Sequence, residues 1–270
     1  MTTVLVLAGG PDAEREVSLT SARAIADALA ASGRYQVKHQ VIARATLSEL
    51  RAMPGDVIWP ALHGRWGEGG PLQDMLVSLG RPFVGCGPSA ARLAMDKVAS
   101  KSFAQAAGLD SRPMCILDPA DAVRPLPLPL VLKPIFEGST VGLFVCRTEQ
   151  EWTAAHASAG ASDKPYMIEP FIKGRELTLG LIDKGAGPAA TGRSTLRALP
   201  LIEIIPADGL YDYEAKYTRD DTRYLLDPEL PPDTRDRLLR QTEALARAMG
   251  VRHLCRADFI LDDDNRAWFL

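Results

Sequence analysis

The chain has 270 residues, 46% hydrophobic and 24% charged, ordinary proportions for a globular protein with enough length for one to three folding units. A net charge of −3 excludes the basic field that nucleic-acid binding requires, and no uninterrupted apolar run reaches the ~20 residues of a membrane-spanning helix. The four cysteines, Cys86, Cys115, Cys146 and Cys255, lack CxxC spacing, and Met1-Thr2-Thr3 carries no basic n-region before a short apolar stretch, so buried free thiols and a cytoplasmic location are expected.

In chain order, Val4 to Ala8 is a continuous apolar run ending at Gly9-Gly10, which predicts a buried parallel strand entering a tight turn. Leu19, Ala22, Ile25, Ala26 and Leu29 recur at helical spacing, predicting a helix from about Ser18 to a stop at Gly33. A second strand over Asp56 to Ala61 runs into the glycine-rich His63-Gly64-Arg65-Trp66-Gly67-Glu68-Gly69-Gly70. Pro71 then suits the first turn of a helix carrying Leu72, Met75, Leu76 and Leu79. This alternation indicates an α/β unit with a parallel sheet over roughly residues 1–90.

A helix with Asp96 near its start runs to Ala107 and stops at Gly108. The segment Pro125-Leu126-Pro127-Leu128-Pro129 breaks the chain and feeds a strand, Leu130 to Lys133. Further strands are predicted at Tyr166 to Phe171, Glu176 to Ile182 and Pro200 to Ile205. Asp233 to Met249 is the clearest amphipathic helix, with Leu238, Leu239, Leu245 and Met249 among its apolar positions. His253 to Leu261 and Arg266 to Leu270 make a predicted hairpin around Asp262-Asp263-Asp264-Asn265. The last residues, Trp268-Phe269-Leu270, are apolar strand sequence without a polar tail, which reads as a truncated sequence.

Four segments carry residue types suited to chemistry. Lys133 ends a strand beside Glu137-Gly138-Ser139-Thr140-Val141-Gly142, so one cation meets a loop of small residues and hydroxyls. Such a loop can cradle a polyphosphate, or it is an exposed hairpin that tolerates glycine; GxxxxGK[ST] is absent. Glu169, in Met167-Ile168-Glu169-Pro170-Phe171-Ile172, either offers its strand edge and carboxylate to a purine nucleoside or is a surface acid on an edge strand. Period-2 alternation puts Arg256 and Asp258 on one strand face, where they can hold a cation and a developing oxyanion or form a structural ion pair. Tyr211-Asp212-Tyr213-Glu214-Ala215-Lys216-Tyr217 lacks any clean period and reads as a lid or a packed surface loop. Asp262, Asp263 and Asp264 are expected to be solvated turn residues.

Taken in order, Ala13-Glu14-Arg15-Glu16-Val17-Ser18, Ala61-Leu62-His63-Gly64 with Gly67-Glu68, Met95-Asp96-Lys97, Lys133-Pro134, Glu137-Gly138-Ser139, Tyr211 to Tyr217 and Arg256-Ala257-Asp258 resemble the D-alanine–D-alanine ligase family of the ATP-grasp superfamily along essentially the whole chain. The first and the aromatic-acidic segment are specific to that family; the others are shared across ATP-grasp enzymes.

The resemblance implies an α/β ATP-grasp fold with an N-terminal lobe at 1–92, a central lobe at 93–174 and a C-terminal lobe at 175–270, the last two gripping ATP. It implies phosphate contacts from Lys97, Lys133, Lys216 and the Glu137-Gly138-Ser139 loop. Adenine and ribose would lie along Glu169, Pro170, Phe171 and Ile172, with Glu176 on a ribose hydroxyl. Glu14 would meet the ammonium of the first D-alanine, linked through Ser139 to Tyr217, with Val17 and Ser18 also binding substrate, His63 near the transferred phosphate and Arg256 stabilising the tetrahedral intermediate. Asp258 would ligate Mg²⁺, for which Mn²⁺ can substitute.

The implied reaction makes D-alanyl-D-alanine for peptidoglycan precursors: one D-alanine carboxylate takes the γ-phosphoryl group, and the amine of the second displaces phosphate. The family resemblance also implies a homodimer, without nucleic-acid or membrane partners. The family's next metal ligands, a Glu and an Asn, would begin just after Leu270, so residues 1–270 alone are expected to be inactive or nearly so. A D-alanine–D-lactate ligase or another ATP-grasp carboxylate–amine ligase remains an alternative within the class. A non-catalytic nucleotide-binding protein could lack Glu14 or Arg256, yet both are present. A dinucleotide-dependent oxidoreductase needs GxGxxG after the first strand, and it is absent.

Overall fold

The structure is a computed structural model that describes residues 1–121, 123–183, 196–207 and 221–270. The chain divides into two compact units. The first holds Met1–Met95, Met249–Cys255 and the described ends of Asp183–Leu196; the second holds Asp96–Ile182, the described part of Arg197–Ala248, and Arg256–Leu270.

In the first unit β1 (Thr2–Gly9) lies between β2 (Tyr35–Ile42) and β3 (Val57–Pro60), parallel to both. The continuous apolar run of β1 has a direct cause. Leu5 and Leu7 pack with Ile58, Leu72 and Leu76 on one face, while Val4, Val6 and Ala8 pack with Ala22 and Ala26 of α1 (Arg15–Ala31) on the other. A strand covered on both faces leaves no position for a polar side chain. Strand β2 escapes sequence reading because most of it is exposed, so no apolar pattern was imposed on Tyr35–Ile42. Helices α2 (Leu47–Ala52), α3 (Gly64–Gly67), α4 (Pro71–Leu79) and α5 (Pro88–Met95) complete the unit.

The second unit begins with α6 (Lys97–Ala106), which Asp96 caps by accepting from the backbone N–H groups of Val98 and Ala99. A four-stranded sheet follows, ordered β4 (Cys115–Ile116), β7 (Tyr166–Pro170), β5 (Leu130–Pro134), β6 (Phe144–Cys146), with antiparallel pairing throughout. Helix α7 (Glu149–Gly160) covers it with Trp152, Ala155 and Ala159, set against Leu130, Leu132 and Ile168. That helix is not predicted from its apolar pattern because two of its three buried residues are alanines. Its readable signal is the capping box between Thr148 and Glu151.

The remaining sheet has six strands, ordered β11 (Arg223–Leu226), β10 (Ile202–Ile205), β8 (Arg175–Asp183), β12 (Leu254–Leu261), β13 (Ala267–Phe269), with β9 (Leu196–Ala198) also on β8. Helix α8 (Pro232–Ala248) packs on α6, and Gln241 donates to the Gly108 carbonyl at 2.6 Å.

The predicted hairpin of β12 and β13 is present, but Asp262 is more than a solvated turn residue. It accepts from the backbone of Asp264 and Arg266 and from the Trp268 indole at 2.7 Å. Burial opposes its ionisation, yet those donors hold its carboxyl below the usual range. The expectation of buried cysteines holds for Cys146 alone; Cys86, Cys115 and Cys255 are partly exposed free thiols. No helix among the described residues is long and apolar enough to cross a membrane.

Candidate active site

The Asp96 cap sets the first turn of α6, placing Lys97 at its start and Lys101 one turn later on the same face. On β5, Leu130 and Leu132 point into the core, so period-2 alternation turns Val131 and Lys133 to the opposite face. The register pairs Val131 with Glu169 and Lys133 with Met167, which puts Lys133 diagonal to Glu169 on that face.

These elements assemble a buried charge cluster. One oxygen of Glu169 lies 2.5 Å from the Lys133 ammonium, and the other lies 2.9 Å from Lys101. Lys101, Lys133 and Glu169 are 3%, 6% and 4% exposed, which excludes a solvated ion pair. Lys97 donates to the carbonyls of Ile135 and Glu137.

Burial, reinforced by repulsion from Lys133 and Lys101, brings Lys97 down from 10.5 to about 8; Glu137 and Glu169 oppose the drop only in part. Burial likewise lowers Lys101 against the pull of Glu169. Burial works against ionising Glu169, but Lys133 and Lys101 outweigh it and hold the carboxyl low. Two buried ammonium groups thus share the Glu169 carboxylate, with Lys97 beside them on backbone carbonyls.

The surface-acid reading of Glu169 is corrected by this geometry. Strand β7 is interior to its sheet and the carboxylate is buried. Lys101 was not singled out from sequence. The available signal was its i,i+4 spacing from Lys97 in a capped helix.

Beside the cluster, the Glu137–Gly142 loop turns back on itself through Val141 N–H to Gly138 O and Leu143 N–H to Thr140 O. Ser139 and Thr140 both adopt left-handed backbone, φ 49° and 64°. Each such non-glycine residue costs on the order of 1 kcal/mol, strain that gathers at ligand clamps. Gly142 is required where it stands: its φ is 71°, and an added Cβ would lie 2.9 Å from the Tyr166 hydroxyl. Glu137 pairs with Lys164 at 2.8 Å. Pro170, Phe171 and Ile172 follow Glu169 partly exposed, with Phe171 N–H bonded to Pro129 O, and Glu176 opens β8 opposite Ile204.

Arg256 and Asp258 share a face of β12 as alternation requires. Their contact runs along the one strand, Nε to Oδ1 and Nη2 to Oδ2, both at 2.9 Å, and Thr178 adds its hydroxyl to Oδ1 at 2.7 Å. The Arg256 side chain is 67% exposed, so this ion pair is no buried strut. Asp258 alone cannot supply the roughly six oxygens of Mg²⁺, and the described residues contain no cluster of three His, Cys, Asp or Glu suited to a metal. The described donor set therefore does not make a metal site by itself.

In the first unit, the remaining predicted residues gather where the parallel strands end. Glu14 is buried just ahead of α1, and Val17 is half-buried one turn on. The Ser18 hydroxyl is fully buried, accepting from Gly9 N–H at 2.9 Å and donating to the Ala61 carbonyl at 2.5 Å, so it ties the end of β1 to the end of β3. His63 opens α3, its Nδ1 3.6 Å from the Glu68 carboxylate. Asp12 and Arg15, for which sequence reading proposed no role, organise the same turns. Asp12 accepts from Trp66 and Gly67 N–H, and Arg15 donates to the Gly10 and Ile42 carbonyls. Lys216 and Tyr217, with the rest of Tyr211 to Tyr217, lie outside the described residues.

A parallel α/β sheet at the N-terminus, an antiparallel sheet that carries the buried Lys133–Glu169 pair, and a further six-stranded sheet define an ATP-grasp architecture. The family model described as D-ala D-ala ligase C-terminus matches residues 113–270. D-alanine–D-alanine ligase of Bordetella petrii is 40% identical over 269 residues, covering 98% of this chain and 80% of that protein. The Geobacter sulfurreducens D-alanine–D-alanine ligase is 36% identical over 273 residues, covering 100% of this chain and 82% of its own length. The solved D-alanine–D-alanine ligase of Bacillus anthracis has a TM-score of 0.81 at 26% identity, covering 100% of this chain and 86% of that one. The chain belongs to the D-alanine–D-alanine ligase family.

Proposed function

We propose that the protein joins two molecules of D-alanine at the expense of ATP, giving D-alanyl-D-alanine, ADP and phosphate for cell-wall precursor synthesis in the cytoplasm. The observation that carries this reading is the cluster in which buried Lys101 and Lys133, with partly buried Lys97 beside them, outnumber buried Glu169. Phosphoryl transfer needs positioned cations more than covalent help, and a desolvated excess of ammonium groups is what a polyphosphate would neutralise.

On this reading Lys97 and Lys133 take phosphate oxygens and the Glu137-Gly138-Ser139 loop closes against them. The segment from Glu169 to Ile172 receives the adenine through its backbone, and Glu176 accepts from the ribose. The carboxylate of the first D-alanine becomes an acylphosphate, a far better leaving group, and the amine of the second displaces phosphate. Arg256, exposed on β12, donates to the oxyanion of that displacement, while Glu14 meets the ammonium of the first amino acid and His63 lies near the transferred phosphate. Ser18 acts through the turn it fixes. The nucleotide would lie between the layers built from residues 93–174 and 175–270, and the family resemblance carries a homodimer with it.

The test is ADP release from ATP by the full-length protein expressed from its gene, with Mg²⁺ present. We expect release to require D-alanine and to ignore L-alanine. Release that is indifferent to the amino acid's chirality, or no release at all, overturns the reading.

A further inference from the structure

Lys101 stands apart from the other cations of the cluster. It is the most deeply buried of the two lysines that hold Glu169, and its ammonium makes two contacts at once: Glu169 Oε2 and the carbonyl of Phe269, both at 2.9 Å. No phosphate need reach it. Its effect is on its neighbours. Were Lys101 neutral, both oxygens of Glu169 would be available to Lys133, and the cation offered to a polyphosphate would already be neutralised.

Because Lys101 holds Oε2, Lys133 is left with Oε1 alone at 2.5 Å. The hold on Phe269 O also fixes Lys101 relative to β13, so the carboxylate is anchored from helix α6 and not merely from its own sheet.

We propose that Lys101 is a positioning residue of the polyphosphate site: by dividing Glu169 between two ammonium groups it keeps Lys133 and Lys97 available to phosphate. This rests on the ATP reading above. It carries a signature that a merely structural lysine lacks. The charged groups that face Lys97 are Lys133, Glu137, Glu169 and Lys101, and of these Lys133 and Lys101 hold its proton affinity down. Polyanion binding favours the charged lysine, so ATP affinity should weaken as pH rises through about 8. Removing the Lys101 charge lifts Lys97 and moves that alkaline limb to higher pH.

The experiment measures the Kd of ATP and of adenosine from pH 6.5 to 9.5 for the full-length protein and for Lys101→Met, Lys101→Gln and Lys101→Arg. Glutamine retains a donor for Phe269 O, so it carries the test if the methionine variant does not fold. At pH 7 the neutral variants should lose about ten-fold in ATP affinity with adenosine affinity unchanged, and their alkaline limb should move up. Lys101→Arg should restore both to within about three-fold. Neutral variants that bind ATP as the parent does, with an unmoved limb, overturn the role of Lys101 while leaving the ATP reading intact, even if their thermal stability falls. A folded parent that binds adenosine and ATP equally overturns the ATP reading, and this inference with it.

Discussion

Lys97 is held charged at a cost to the ligand-free fold, and that cost can be measured. Its proton affinity falls from 10.5 to about 8, which corresponds to about 3 kcal/mol of destabilisation of the charged, ligand-free state. Lys97→Met removes that penalty but leaves the Ile135 and Glu137 carbonyls without the ammonium, a loss of about 1–2 kcal/mol. The net expectation is a variant about 1–2 kcal/mol more stable than the parent at pH 7 without nucleotide.

The sign with pH follows from the depressed lysine. Its penalty is present in full below about 8 and fades as pH rises toward the unfolded value of 10.5, so the gap between variant and parent should close over that interval. The assay is urea denaturation at pH 7, 8, 9 and 10, with and without ATP. ATP should stabilise the parent and have little effect on the variant. A Lys97→Met protein less stable than the parent at pH 7, or a gap that widens between pH 8 and 10, refutes the claim that this lysine is stressed until a polyanion arrives.

Two further outcomes are expected. Arg256→Ala in the full-length protein should lower kcat about 10²–10³-fold with a small change in the KM for ATP, since an exposed oxyanion donor acts on the transition state; full turnover would remove Arg256 from the chemistry. Ser18→Ala should destabilise the protein by about 1–3 kcal/mol, because it strands a buried N–H of Gly9 and the Ala61 carbonyl; an unchanged urea midpoint would show that the two strand ends do not depend on that hydroxyl.

Local chemistry made much of this protein legible before any coordinates. The apolar run of Val4 to Ala8 had to be covered on both faces, and it is. Asp96 announced the start of α6, and alternation alone put Arg256 beside Asp258. Elements escaped where the pattern was thin: exposed β2 carries no apolar stripe, and α7 buries mostly alanine. A family resemblance supplied the expected roles of Lys97, Lys133 and Glu169, but along the chain those residues are separate motifs with nothing to state their mutual distance.

The partnership among them belongs to tertiary structure. Glu169 looked like a surface acid because residues flanking an isolated strand do not show whether another strand lies on either side; pairing with both β4 and β5 made it interior. Lys101 carried one weak sign, its spacing from Lys97, and its meaning depends on Phe269 arriving from 168 residues away. Composition and periodicity decide which face of an element is buried. Which charges then share that burial, and so whose proton affinity moves, is decided only when distant segments pack into the same low-dielectric space.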